Sequence, residues 1–267
     1  MHAIKYALDL YKCERTRCYF LHAYADEVYG PFASMRTMDL EKQKESVKQV
    51  TDDKLQNLIE EVIGVPPNPR HTYETIGAFD SLVDAVNDFV NDINIDLVIM
   101  GTKGKTDDKK ITFGSHTVQV FKYIQCPVLA IPYDVEFQRP KKILFPTDYM
   151  LPFKRRELKL LNDLCRDFKA EIHCLYMADI KKLSHRQLDN KSFLTESLPD
   201  AYLNFERVAI DNKSKGIKEY IKTNKIDFLV MVNSRHTYLE DLLYRSTVDE
   251  IGLTTKIPFL VMQNLPR

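Results

Sequence analysis

The sequence predicts an α/β protein built as two doubly wound, parallel-sheet domains in tandem. Three observations carry this reading. Strand-like and helix-like runs alternate along both halves of the chain. Two apolar runs of the first half recur in the second half at one shared offset. A glycine-spaced loop leaves the C-terminal end of a strand-like run, the place where doubly wound sheets bind ligands.

In chain order, residues 1–12 carry Ile4, Ala7, Leu8 and Tyr11 at helical spacing. Residues 17–23 read as a buried strand, and Pro31 marks a loop. Leu40, Val47, Val50, Leu55, Leu58, Ile59 and Val62 trace a long helix that Pro66, Pro67 and Pro69 end. His71–Ile76 alternates and is β-branched, which predicts a strand. Asp80 or Ser81 can cap the next helix, with core positions Leu82, Val83, Val86, Phe89, Val90 and Ile93. Strands over 97–100 and 127–132 enclose a glycine loop and a helix over about 115–124.

The second half opens with a strand at 142–145, then Pro146, Thr147 and Asp148, then a helix marked by Leu158, Leu160, Leu161 and Leu164. A strand at 172–177, a polar segment to about Pro199, a strand at 202–208 and a helix over 217–221 follow. Asp227–Met231 mirrors Asp96–Met100, and Ile257–Met262 mirrors Cys126–Ile131. Both pairs stand 131 residues apart, which indicates internal duplication. The boundary falls near 133–140, giving expected domains of 1–135 and 141–267.

Composition narrows the class. The 267 residues suit two domains, and 44% hydrophobic with 28% charged residues is ordinary for a globular chain. Lys plus Arg and Asp plus Glu both number 38, a balance that argues against a dedicated nucleic-acid surface. No apolar stretch approaches the ~20 residues of a membrane span, and no secretory signal is visible, so a cytoplasmic protein without a membrane partner is expected. Cys13, Cys18, Cys126, Cys165 and Cys174 form no C-x-x-C pair and read mostly as small core residues. No metal site is evident.

The chemistry concentrates at Gly101-Thr-Lys-Gly104, nine residues, then Gly114-Ser115. Glycines let backbone N–H groups approach phosphate, and a helix starting near Ser115 adds its free N–H groups and dipole. The loop is not a Walker motif: the glycine needed five residues before Gly104-Lys105 is Ile99. No G-x-G-x-x-G follows a strand, no G-x-S-x-G or H-E-x-x-H occurs, and no carboxylate pair is positioned for acid–base work. Lys103, Lys105, Lys109, Lys110 and His116 can meet a phosphate or simply face solvent. His22 and His173 read as satisfied histidines within strands.

The spacing G-x2-G-x9-G-S, with Asp96–Met100 before it and Cys126–Pro132 after it, closely resembles the nucleotide-binding signature of the universal stress protein family. The resemblance implies a fold of the adenine nucleotide alpha hydrolase type. It also implies a role in stress response and a cofactor, ATP, held by Gly101, Gly104, Gly114 and Ser115. It implies that the last strands of the two domains meet, with a homodimer as a further possibility for assembly. Some family members bind no nucleotide, so a non-binding interaction module and a weak ATP hydrolase stand as alternatives.

The halves then disagree. At the shared offset, Gly101, Gly104 and Gly114 fall on Val232, Arg235 and Arg245, and only Ser115 keeps its hydroxyl, at Ser246. Arg235 and Arg245 can pair with an anion or stand as surface arginines. The resemblance places an aspartate near the base and ribose, and Asp148 fills that position in the second half. Met1 already lies within the first helix, so the first half lacks this strand and aspartate, and a strand like Lys142–Asp148 is expected to have preceded it. The first domain then has a gap where a central strand belongs, which leaves backbone groups of its neighbours to be satisfied elsewhere.

Overall fold

The structure is a computed structural model that describes residues 1–32, 40–64, 67–102, 115–150, 152–178, 182–209, 212–233 and 256–264. Residues 7–95 form one compact unit, and residues 1–6 with 96–267 form another.

The chain opens with α1 (His2–Leu10) and β1 (Thr16–Ala23). Then come α2 (Ala25–Phe32), α3 (Leu40–Gly64), β2 (His71–Ala78) and α4 (Leu82–Ile93). In the 7–95 unit, β1 pairs with β2 in parallel, from Thr16 opposite His71 to Ala23 opposite Ala78. These two strands make a sheet of their own. α3 buries Thr51, Leu55 and Val62, and it runs close over Gly77. A Cβ at Gly77 would stand 3.3 Å from Asp52 Oδ1 and 3.5 Å from Thr51 Cγ2, so glycine there admits the helix. α4 is capped by the Ser81 hydroxyl, which accepts from the Asp84 N–H, and it closes at Asn94 in the left-handed region. Its buried residues are Ala85, Val86 and Val90, whereas Ile93, expected in the core, is exposed.

Two helices depart from the sequence expectation. Pro31 was expected to mark a loop, yet α2 runs through it to Phe32. The cost of a proline near a helix end is met by packing: Val28 is completely buried and Ala25 nearly so. The polar segment before Pro199 holds a full helix, described below.

The second unit continues with β3 (Val98–Gly101), α5 (Ser115–Tyr123) and β4 (Val128–Ile131). The second half adds β5 (Lys142–Pro146), α6 (Arg155–Phe168), β6 (Glu171–Met177), α7 (His185–Ser197), β7 (Tyr202–Val208), α8 (Lys213–Asn224), β8 (Phe228–Asn233) and β9 (Phe259–Gln263). Among the described residues, these strands form one seven-stranded sheet in the order β3-β4-β9-β8-β5-β6-β7. The portion β9-β8-β5-β6-β7 is parallel and doubly wound, with β5 at its centre. Ile143, Leu144 and Phe145 of β5 are fully buried, as are Leu158 and Leu161 of α6. Each such side chain contributes about 1.5–3 kcal/mol through burial.

The sheet is not parallel throughout. β4 and β9 run antiparallel, with Val128 opposite Val261, Leu129 opposite Leu260 and Ala130 opposite Phe259. All four residues of β4 are buried, and the strand is paired on both edges. The sequence predicted one covered parallel sheet for the first half. Instead its strands divide: β1 and β2 pair with each other, while β3 and β4 extend the sheet of the second half.

Candidate functional site

β3 ends at Gly101, which is exposed, and the buried Thr102 that follows donates its N–H to the Ile131 carbonyl at 3.1 Å. This bond carries the β3–β4 pairing one step past the strand and fixes where the loop departs. Among the described residues, a Cβ on Gly101 would meet nothing closer than Ala3 Cβ at 3.9 Å, an ordinary contact. No described glycine has a positive φ. Among the described residues, neither packing nor backbone shape therefore calls for glycine at this position. Gly104, Gly114, Lys103, Lys105, Lys109 and Lys110 lie outside the described residues. α5 opens at Ser115, the expected helix start, and His116 in its first turn is exposed.

α5 is anchored at its other end. The Phe121 carbonyl accepts from Asn233 Nδ2 at 2.8 Å and from Gln263 Nε2 at 3.0 Å. The Phe121 ring meets Phe259 edge-on, centroids 5.3 Å apart. Asn233 and Gln263 end β8 and β9, so the helix after the glycine loop is held on the carboxyl ends of two second-half strands. Gln263 is completely buried, and its oxygen accepts from Asn233 at 2.8 Å.

The second half uses the equivalent places for its own structure. Val232, the counterpart of Gly101, lies inside β8 and lines a small cleft with Pro152, Phe153, Glu157, Met262 and Asn264. Arg235, Arg245 and Ser246 lie outside the described residues. The Asp148 carboxylate accepts from the Met150 N–H at 2.9 Å, closing its own turn, and the Asp148 carbonyl accepts from Gln187 Nε2 at 2.8 Å. Tyr149 sits in the left-handed region, stacks on Tyr176 at 5.9 Å, and gives its carbonyl to Asn190 Nδ2 at 2.7 Å.

Gln187 and Asn190 both come from α7, which the sequence reading left as a polar segment. A signal was present: Ser184 and Gln187 form a reciprocal capping box, the S-x-x-Q pattern of a helix start. The helix otherwise buries only Gln187 and Leu194, so no apolar stripe announces it.

Several titratable groups are held in structural contacts. His173 is buried, with Nδ1 2.8 Å from the Tyr220 hydroxyl and Nε2 3.2 Å from Glu171 Oε1. Burial raises the Glu171 carboxyl, but hydrogen bonds from His173 and Lys142 outweigh it and hold the group below its usual range. Burial pushes the Asp227 carboxyl above its usual range, against the backbone N–H groups of Lys142 and Lys141 that it accepts. Burial also raises the thiols of Cys165 and Cys174 to about 12, which suits inert core residues. His22 pairs with Glu27 at 2.9 Å. No group of metal-ligating side chains occurs among the described residues, and no described helix is long and apolar enough to cross a membrane.

Residues 1–132 match the universal stress protein family. No curated protein sequence matches the chain. A universal stress protein from Archaeoglobus fulgidus DSM 4304 is similar in structure, with 13% identity and a TM-score of 0.62, over 95% of this chain and 98% of that one. A functionally unknown protein from Pseudomonas aeruginosa PAO1 is similar over 96% of this chain and 94% of its own, with 14% identity and a TM-score of 0.51. At these identities the likeness speaks for the fold. The family match places residues 1–132 of this chain in the universal stress protein family, and the likeness to the solved structures carries the α/β fold over the rest.

Proposed function

We propose that the chain is a cytoplasmic stress-response sensor that binds an adenine nucleotide, ATP, at the loop between β3 and α5. Backbone N–H groups at Gly101, Gly104 and Gly114 and the hydroxyl of Ser115 hold its phosphates. The chain is read as a tandem of two repeats, 1–135 and 141–267, and the nucleotide belongs to the first. The observation that supports this is Gly101 itself. It stands exposed at the carboxyl end of β3, where nothing described in the fold requires glycine. Across the same loop, α5 opens at Ser115.

The second reading is a protein that acts through contacts alone, with both sites degenerate. The loss of the glycine at the equivalent second-half position, where Val232 stands inside β8, favours it. Mass spectrometry of the purified chain for retained nucleotide, followed by calorimetric titration with ATP, separates the two. Binding by the intact chain that is lost in Gly114→Arg supports the sensor. No heat with either chain supports the contact protein.

A further inference from the structure

His173 is buried on β6, and among the described residues its polar surroundings come from four elements. Glu171 belongs to β6, Lys142 to β5, Asn204 and Glu206 to β7, and Tyr220 to α8. Nε2 of the ring stands 3.2 Å from Glu171 Oε1, which Lys142 also faces at 3.4 Å. Nδ1 stands 2.8 Å from the Tyr220 oxygen and 3.5 Å from Glu206 Oε1. Burial first, and then a hydrogen bond to Glu206, push the Tyr220 hydroxyl above its ordinary range, so it keeps its proton. Burial likewise leaves Cys174, the next residue, a neutral thiol. In either neutral tautomer of His173, one carboxylate or the other therefore faces a bare ring nitrogen. With both nitrogens protonated, Nε2–H donates to Glu171, Nδ1–H to the Tyr220 oxygen and the Tyr220 O–H to Glu206. The charges then balance as well, Lys142 and the imidazolium against Glu171 and Glu206.

We propose that Glu171, His173, Tyr220 and Glu206 form a proton-operated clasp. It is closed while the ring carries both protons, tying β6, β7 and α8 together, and it opens when one of those protons leaves. Opening sets a carboxylate against a lone pair in a part-buried network, where an unmatched contact is costly. Among the described strands β7 pairs with β6 alone, and Glu206 is the most exposed member of the group, so the release falls on the β7 and α8 side. A contribution that needs the bound proton is present on the acid side, while both carboxylates stay ionised, and is lost as pH rises. The clasp responds to proton concentration and is independent of nucleotide binding.

The test uses the intact chain with isotope-labelled histidines, and His173→Gln assigns the ring signals. Ring nitrogens are followed by nuclear magnetic resonance and amide hydrogen exchange by mass spectrometry, from about pH 5 to about pH 9, either side of an ordinary imidazole. Both His173 nitrogens carry protons at the acid end. As one proton leaves, exchange within 202–208 and 213–224, corrected for its intrinsic pH dependence, quickens about tenfold, the effect of one hydrogen bond to a charged group. Glu206→Gln removes the charge that favours the imidazolium, so the step moves to lower pH, and His173→Gln abolishes it. Exchange that stays level through the ring titration, an unmoved midpoint in Glu206→Gln, or the same step surviving in His173→Gln overturns the proposal. Quickening that extends equally to β4 and β9 also overturns it, since the whole unit is then loosening.

Discussion

The amides of Asn233 and Gln263 hydrogen-bond each other at 2.8 Å across the β8–β9 pair, and both donate to the carbonyl of Phe121. One helix end is thus fixed by two side chains that also fix each other. Gln263→Leu is expected to cost about 1–3 kcal/mol in urea unfolding, because a buried network is left part-satisfied. Combining it with Asn233→Ala is expected to cost less than the sum of the two, since they share a partner.

Asp227 accepts the N–H groups of both Lys141 and Lys142, at 3.0–3.1 Å, and so ties the start of β8 to the start of β5. Asp227→Asn keeps an acceptor and is expected to stay within about 1 kcal/mol of the parent chain. Asp227→Ala strands the donors and is expected to cost about 1–3 kcal/mol. Equal losses in chemical unfolding would show that the charge, not the acceptor, matters.

Glu171 makes stability depend on acid. Its folded pKa is depressed below the ordinary 4.5, so its contribution is present above that value and is lost as pH falls through the folded one. The melting temperature of the parent chain is expected to fall more steeply below about pH 4.5 than that of Glu171→Gln. Parallel melting curves from pH 6 to 3 would remove this role.

Gly101→Ala separates packing from binding. The added methyl meets Ala3 at 3.9 Å, an ordinary contact, so stability is expected to change by no more than about 0.5 kcal/mol. ATP affinity is expected to fall about tenfold or more if the backbone there approaches phosphate. Unfolding and titration on the same preparation check both halves of this expectation.

Which parts of the fold were legible follows from how each element is stabilised. β4, β5 and β8 are continuous apolar runs because sheet neighbours and helices bury them, and such runs stand out in sequence. α7 is held by polar contacts to the loop around Asp148 and has no apolar period to read; only its capping box betrays it. α2 was hidden by Pro31, whose local penalty the burial of Val28 overrides. Of the candidate site, the strand end at Gly101 and the helix start at Ser115 lie where the spacing predicted. The amide pair that holds α5 was not legible, since Asn233 and Gln263 are 30 residues apart and meet only once β8 and β9 are in register.

The antiparallel join of β4 to β9 also governs how a newly made chain matures. Leu129 waits for Leu260, 131 residues later (260 − 129). At roughly 5–20 residues per second, a ribosome needs on the order of 7–26 seconds to supply it. During that interval Val128–Ile131 presents an open apolar edge, the kind of segment that chaperones shield and that nascent chains on neighbouring ribosomes can pair with. The pace of translation, rather than the speed of strand docking, sets when this sheet is complete.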